Sequence, residues 1–344
     1  MNRLRIGIVG LGFGKHIVNE LLKSPAKDII ELAAVCDTRP DLTSEVAATA
    51  GCKAYTSLDD LLNDPTIPAI GLYTGPNGRA ELIRRIVDSG RDVMTTKPLE
   101  IDPDAALKSL QHAAALGRTV HLNSPSPRLP AELAQISIWQ QQYDLGRPVA
   151  CRRDVWVSYN ESADGSWYDD PELCPVAPVY RLGIYLINDL VRLFGAAEQV
   201  TILQSRLRTG RPTADSGQLG ILFKNGVIAN IFASFCVLDG DHYRNGIVLN
   251  FERGTIYGNV GPNRPNGCGV DLSLVQERNN KRQIVASVTC ESYSGGYDWA
   301  TFAAAVRGET QSGLISPEEA VQGVRLIVAM KEALRNNGAA QVKG

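Results

Sequence analysis

Three stretches of this chain carry residue types whose spacing can support chemistry. The first, "IVGLGFGKHIVNELL" (8–22), sets Gly10, Gly12 and Gly14, with Phe13 among them, between a strand pattern and a helix pattern. In that context Gly10 can make the tight turn, and Gly12 lets a pyrophosphate approach backbone N–H groups at a helix amino terminus. The usual spacing puts a third small residue at 15, where Lys15 stands, and Gly14 substitutes for it in a loop one residue shorter. Lys15 and His16 read as solvent-facing, the alternative being positive charge beside the phosphates. Asp37 ends the second strand pattern, 27 residues after Gly10. A carboxylate there accepts hydrogen bonds from a ribose 2′-hydroxyl and repels a 2′-phosphate, which favours NAD over NADP. Arg39, two positions on, stacks on adenine or pairs with that phosphate, and so keeps NADP open.

The second stretch, "RDVMTTKPLE" (91–100), delivers Lys97 just after a strand pattern, and parallel sheets bind ligands at the carboxyl ends of their strands. The third, "WYDDPELCPVAPVYRLGIYLIND" (167–189), carries Trp167, Arg181, Tyr185 and Asn188. Removing a hydroxyl proton while hydride leaves carbon requires a base that titrates near the working pH. A free tyrosine has a pKa of about 10, so Tyr185 needs a nearby cation to favour its phenolate. Lys97 is the natural source. Arg181 precedes Tyr185 by four residues and shares its face if the helix has already begun there. It either tunes the phenol or grips a substrate carboxylate in a bidentate fork. In this reading Lys97 orients the reacting hydroxyl, Tyr185 is the acid/base and Asn188 binds a neighbouring hydroxyl. The competing reading packs Tyr185 with Ile184, Ile187 and Val191 and leaves Arg181 in solvent.

Other candidates surround these. Thr74, Pro76 and Asn77 follow another strand pattern and are expected to line the nicotinamide side. Trp167 and Tyr168 either stack on a sugar face or serve as a cap or hinge. Asn123, Ser124 and Arg128 sit in a crossover where either rigidity, set by two prolines, or substrate contact explains them, and His242 is expected on an exposed loop.

The elements that must position these residues follow two rhythms. Strand patterns at 4–10, 29–37, 69–75, 91–96 and 118–123 alternate with amphipathic helix patterns, which predicts a doubly wound parallel sheet, a Rossmann domain over 1–122. One of those helices opens at Ser57 with Asp60 three residues on, and another stops at Gly90. From 123 to 344 one helix pattern and then strands in direct succession predict an α+β domain with a large, mostly antiparallel open sheet. Within it Lys224–Gly226 is a hairpin signal, and Ser316 caps a long terminal helix over 316–336. The site is expected in the cleft between the two domains.

With 44% hydrophobic and 21% charged residues and a net charge of -2, the chain reads as a globular protein with no nucleic acid or anionic membrane as partner. No apolar run approaches the roughly 20 residues of a membrane span. The strand pattern starts at residue 4, which leaves no room for a signal peptide. Seven scattered cysteines without a CxxC pair read as reduced thiols in the cytoplasm, and four dispersed histidines give no metal site.

In order, "LYTGPNGRAELIRRIVDSGRDVMTTKPLE", "YDLGRPVACRR", "WYDDPELCPVAPVYRLGIYLINDLVRLFG" and "TFAAAVRGE" resemble the Gfo/Idh/MocA oxidoreductases over essentially the whole chain. The resemblance implies a nucleotide-binding domain, then a domain whose open sheet mediates homodimers or homotetramers. It also implies hydride transfer between nicotinamide and a carbohydrate-like small molecule, a sugar, cyclitol or sugar acid. The family's Glu-Lys-Pro appears as Thr96-Lys97-Pro98, keeping the lysine. Its Asp-x-Gly-x-His-x-x-Asp motif becomes Arg181-x-Gly183-x-Tyr185-x-x-Asn188, and the last two positions resemble the glucose–fructose oxidoreductase branch. The arginine matches neither variant. The alternative to an enzyme is a non-catalytic dinucleotide-binding regulator on the same scaffold, and a third option is hydrolytic or eliminating use of NAD through transient oxidation.

Overall fold

The computed structural model describes residues 3–23, 25–240, 243–261, 269–291, 295–309 and 315–344, so the loop expected at His242 lies outside the described residues. The chain divides into two compact units, 1–128 with 295–321 and 129–294 with 322–344. The sequence boundary at 122/123 falls a few residues before this division. The later return of 295–321 to the first unit carries no signal in the strand and helix rhythm.

The first unit runs β1 (Leu4–Val9), α1 (Leu11–Lys23), β2 (Ile30–Cys36), α2 (Pro40–Ala50), β3 (Lys53–Tyr55), α3 (Leu58–Leu62), β4 (Ala69–Leu72), α4 (Arg79–Asp88), β5 (Asp92–Thr95), α5 (Pro103–Ala115) and β6 (Val120–Leu122). Among the described residues these strands form one parallel sheet in the order β3-β2-β1-β4-β5-β6, the doubly wound order of a Rossmann domain. β4 and β5 are buried along their whole length, as strands covered on both faces must be. The apolar stripe of α1 (Leu11, Ile17, Val18, Leu21) packs on Ile6 and Ile8 of β1. Ser57 caps α3 by accepting from the Asp59 and Asp60 N–H groups. β3 is the strand the sequence reading lacked. Its three residues are exposed or half-buried, so they leave no apolar trace.

The second unit continues with α6 (Ala131–Gln142), β7 (Pro148–Trp156), α7 (Ile184–Phe194), β8 (Ala197–Ser205), β9 (Ser216–Phe223), β10 (Ile228–Ser234), β11 (Arg244–Phe251), β12 (Gly254–Gly258), β13 (Gly269–Arg278) and β14 (Lys281–Glu291). α8 (Trp299–Val306) then rejoins the first unit's core through Trp299 and Phe302. α9 (Pro317–Arg335) and β15 (Ala339–Gln341) follow, with the Glu319 N–H donating to Ser316 Oγ at the helix start. The second sheet has the order β14-β13-β12-β11-β7-β10-β9-β8-β15 among the described residues. Only its β7–β10 pair is parallel, so the sheet is mostly antiparallel. Gly226, at φ +87°, turns the β9–β10 hairpin. Alternate residues of that hairpin (Leu219, Ile221, Phe223, Ala229, Ile231, Ala233) share one core with α7 and α9. Among the described residues, no helix is long and apolar enough to cross a membrane.

Candidate functional site

The glycine loop is built by sterics that can be named. Gly10 has φ +86°, and a Cβ there would stand 2.8 Å from Thr74 N, so the tight turn admits only glycine. A Cβ at Gly12 meets nothing within 4 Å, and Phe13 is 44% exposed, so the start of α1 is open. Gly14 is buried, with its Cβ position 3.1 Å from Ile8 Cγ2 and 3.6 Å from Tyr73. It sits where α1 packs against β1. Lys15 pairs with Glu45 at 2.8 Å on the surface, and His16 faces Glu20 at 3.4 Å.

Asp37 ties the end of β2 to this loop. Its carboxylate accepts from Leu11 N–H (2.7 Å), Arg39 N–H (3.1 Å), Arg39 Nε (2.8 Å) and Arg39 Nη2 (3.0 Å). Burial alone would raise the pKa of Asp37, but the bonds from Arg39 and Leu11 outweigh it and hold the carboxyl below its usual range. The group is therefore an anion at neutral pH, with an exposed guanidinium against it. A dinucleotide fits these residues. The helix start carries no acidic residue in its first turn, Gly12 leaves it uncovered, and the buried Thr74 hydroxyl beside the Gly10 turn has no hydrogen-bond partner among the described residues.

Lys97 stands two residues past the end of β5, half-buried, on a firmly tied backbone. Its N–H donates to Asn123 Oδ1 (3.0 Å), whose amide donates in turn to the Gly295 carbonyl (2.9 Å). Arg79, 2% exposed, donates to the carbonyls of Thr96 (2.7 Å), Pro98 and Thr74. Glu100 accepts from the N–H groups of Gly78 (3.3 Å), Ala80 (2.8 Å) and Ile101 (2.8 Å), which closes the start of α4 over the same loop. Pro76 is buried here and Asn77 exposed. The sequence reading missed Arg79 and Glu100. Arg79 looked like one more charge on an amphipathic helix, and no local signal marks an arginine whose partners are backbone carbonyls.

In the second unit, residues 179–183 are π-helical and α7 begins only at Ile184. The helical run has therefore begun before Arg181, with an i→i+5 turn leading into the α-helical segment that carries Tyr185. Arg181 does grip a carboxylate in a bidentate fork, but it is this chain's own Glu161, at 2.6 and 2.8 Å. Its guanidinium carbon lies 4.1 Å from the Tyr168 ring centroid, 4.8 Å from Phe235 and 5.4 Å from Tyr159. That corrects the expectation that Arg181 lies in solvent, and it shows the fork engaged by Glu161. Glu161 is shared with the buried Arg211 at 2.9 Å, which also reaches Asp164 (2.9 Å) and Asp169 (2.7 Å). This cluster pins the loop that carries Trp167, whose ring lies 4.2 Å from that of Tyr168 and 6.1 Å from that of Tyr180.

Tyr185 is half-buried, while its helix neighbours Ile184, Ile187 and Val191 are core residues. Asn188 is 5% exposed, and a side chain at Gly323 of α9 would overlap its Oδ1. The structure therefore groups Gly10, Asp37, Arg39 and Thr74 in one place, and Lys97 with Asn123 and the Thr74 carbonyl through Arg79. It sets Tyr185 and Asn188 together on α7.

Comparison with known proteins agrees with these features. The oxidoreductase family with an NAD-binding Rossmann fold matches residues 4–124, and the GFO/IDH/MocA C-terminal domain matches residues 135–257. The uncharacterized oxidoreductase YdgJ of Escherichia coli (strain K12) is 24% identical over 227 residues, which span 62% of this chain and 60% of YdgJ. The WlbA dehydrogenase from Bordetella pertussis, solved with NADH and UDP-GlcNAcA, superposes with a TM-score of 0.73 at 17% identity, covering 100% of both chains. A levoglucosan dehydrogenase solved with NADH and L-sorbose gives 0.74 at 16% identity, also over 100% of both. The glycine loop, the strand-end lysine and the sheet that follows them all agree with one assignment: this chain belongs to the Gfo/Idh/MocA oxidoreductase family.

Proposed function

We propose that this protein is an NAD(P)-dependent dehydrogenase or reductase acting on a hydroxyl-bearing carbon of a sugar, cyclitol or sugar acid. The observation that carries the reading is the joint fixation, within one unit, of the Thr74 turn that abuts Gly10 and the Lys97 loop, both bonded to Arg79. A bound nicotinamide would accept or deliver the hydride. Everything else falls to the chain: Gly10, Gly12, Phe13 and Gly14 receive the pyrophosphate, and Thr74, Pro76 and Asn77 flank the nicotinamide side. Asp37 favours NAD, because a lone Arg39 already paired with it has little left for a 2′-phosphate.

Lys97 orients the reacting hydroxyl and Tyr185 carries its proton. Asn188 holds a neighbouring hydroxyl and Trp167 supplies a flat apolar face. The Gly183-Ile184-Tyr185 and Asn188 pattern supports a site of the glucose–fructose oxidoreductase type, and the sugar-bound dehydrogenases of like fold support the substrate class. Exposed Val149, Leu203, Ile228 and Ile284 on the second sheet's strands support assembly into a homodimer or homotetramer.

The test is a screen of NAD and NADP against aldoses, cyclitols and uronates, followed at 340 nm. Lys97→Met and Tyr185→Phe are each expected to lower turnover by about 100-fold or more, with cofactor affinity retained. Full turnover in either variant would remove the assignment. Tight cofactor binding without turnover on the whole panel would support the regulator reading, to which Thr96 and Arg181 in place of acidic residues also point.

A further inference from the structure

Arg79 is a cation placed where a loop needs no charge. It is almost wholly buried at the first residue of α4, and it donates to carbonyl oxygens drawn from two separate strand ends. Thr74 lies after β4, and Thr96, Pro98 and Leu99 lie after β5. Two of those carbonyls flank Lys97 on either side. A planar guanidinium with five donors is the side chain able to bridge several carbonyls at once. Asn123 holds the Lys97 N–H from the opposite direction. Glu100, three residues past Lys97, accepts from Gly78 and Ala80 on either side of Arg79, so the two loops are tied in both directions.

We infer that Arg79 is a positioning residue that sets the Lys97 backbone against the Thr74 turn, with Asn123 as its counterpart. The inference rests on the role proposed above for Lys97. Rigid placement matters because a misplacement of about 1 Å in a reacting group can cost about 100-fold in rate.

The experiment uses the full chain with NADH as probe. Bound-NADH fluorescence counts competent sites, and turnover on the fastest panel sugar is then expressed per site. Arg79→Met is expected to keep NADH affinity within about threefold, leave KM nearly unchanged and lower kcat by about 100-fold. Arg79→Lys, which reaches fewer carbonyls, should recover part of that loss. Peptide-level hydrogen exchange gives a readout independent of any substrate. Exchange over 94–101 and 72–79 should rise in Arg79→Met, while β1 and β2 stay protected.

A purely structural role would lower the number of NADH-binding sites but leave kcat per site intact, and that result would overturn the inference. Unchanged exchange over 94–101 would overturn it with or without a panel substrate. If Arg79→Met does not fold, Asn123→Ala takes its place, and wild-type kcat per site together with wild-type exchange at Lys97 would be equally fatal. Lys97→Met separates the two levels. If it retains turnover the functional reading fails, whereas if it abolishes turnover while the Arg79 and Asn123 variants are normal, only this inference fails.

Discussion

The two units bury ionisable groups by opposite strategies. In the first, His121 on β6 is 1% exposed and stands edge-on to Phe302 at 5.9 Å. Neither ring nitrogen has a hydrogen-bond partner among the described residues. Burial pushes its pKa down to about 4, with Asp298 opposing and Arg128 adding to the shift, so the ring is stored neutral. In the second, Asp189 on α7 is 5% exposed and faces Arg153 at 3.3 Å, itself 1% exposed. Burial, with the charge of Glu132 adding, raises the pKa of Asp189 to about 6 against the opposing pull of Arg153 and Arg192. The lesson is that one physical cost, desolvation, gives the units pH dependences of opposite sign.

For His121, the unfolded chain binds a proton that the folded chain refuses between about pH 6.5 and 4, so its contribution to stability is lost as pH falls through that window. For Asp189, the folded chain holds a proton that the unfolded chain has released between pH 3.8 and about 6, so stability falls as pH rises there.

The comparison breaks most visibly at Arg153. Arg153→Met leaves the buried carboxylate of Asp189 without its cation. Urea unfolding at pH 7.5 should show a loss of about 3–5 kcal/mol, shrinking toward pH 5 as Asp189 protonates. A loss that does not vary with pH would mean that Asp189 is not the charge Arg153 serves. His121→Phe sharpens the first unit's side. Wild type is expected to lose up to about 3 kcal/mol through this residue between pH 6.5 and 4, and the variant's unfolding curve should be flatter by that amount. Equal slopes would show the ring finding a partner on protonation. The smallest effect is Asp189→Asn, which removes the opposing titration. Relative to wild type it should gain about 2 kcal/mol as pH is raised from 4 to 6.5, less whatever Arg153 loses with its charged partner.

Much of the fold could be read from the chain because its signals are local. Gly10, Gly12 and Gly14 behind an apolar strand, the Ser57 and Ser316 caps and the Lys224–Gly226 hairpin each depend on neighbours within a few residues. The Rossmann order followed from buried strands alternating with helices. What could not be read is long-range. β3 is three exposed or half-buried residues, and α8 rejoins a core more than 170 residues behind it.

The site divides the same way. Asp37 and Lys97 were legible because each lies at a strand end. Arg181 was legible as a fork but not as Glu161's partner, since the two are 20 residues apart. Arg79 escaped altogether because its partners are carbonyls, which every residue owns.

Gly323 has a consequence for anyone reshaping this protein. Since a methyl group at that point of α9 would claim the space of the Asn188 amide, positions 188 and 323 work as a lock and its key. Libraries that diversify one of them alone will be filled with misfits, whereas exchanging both together, small for large, opens a region of variants that single-site scanning never visits.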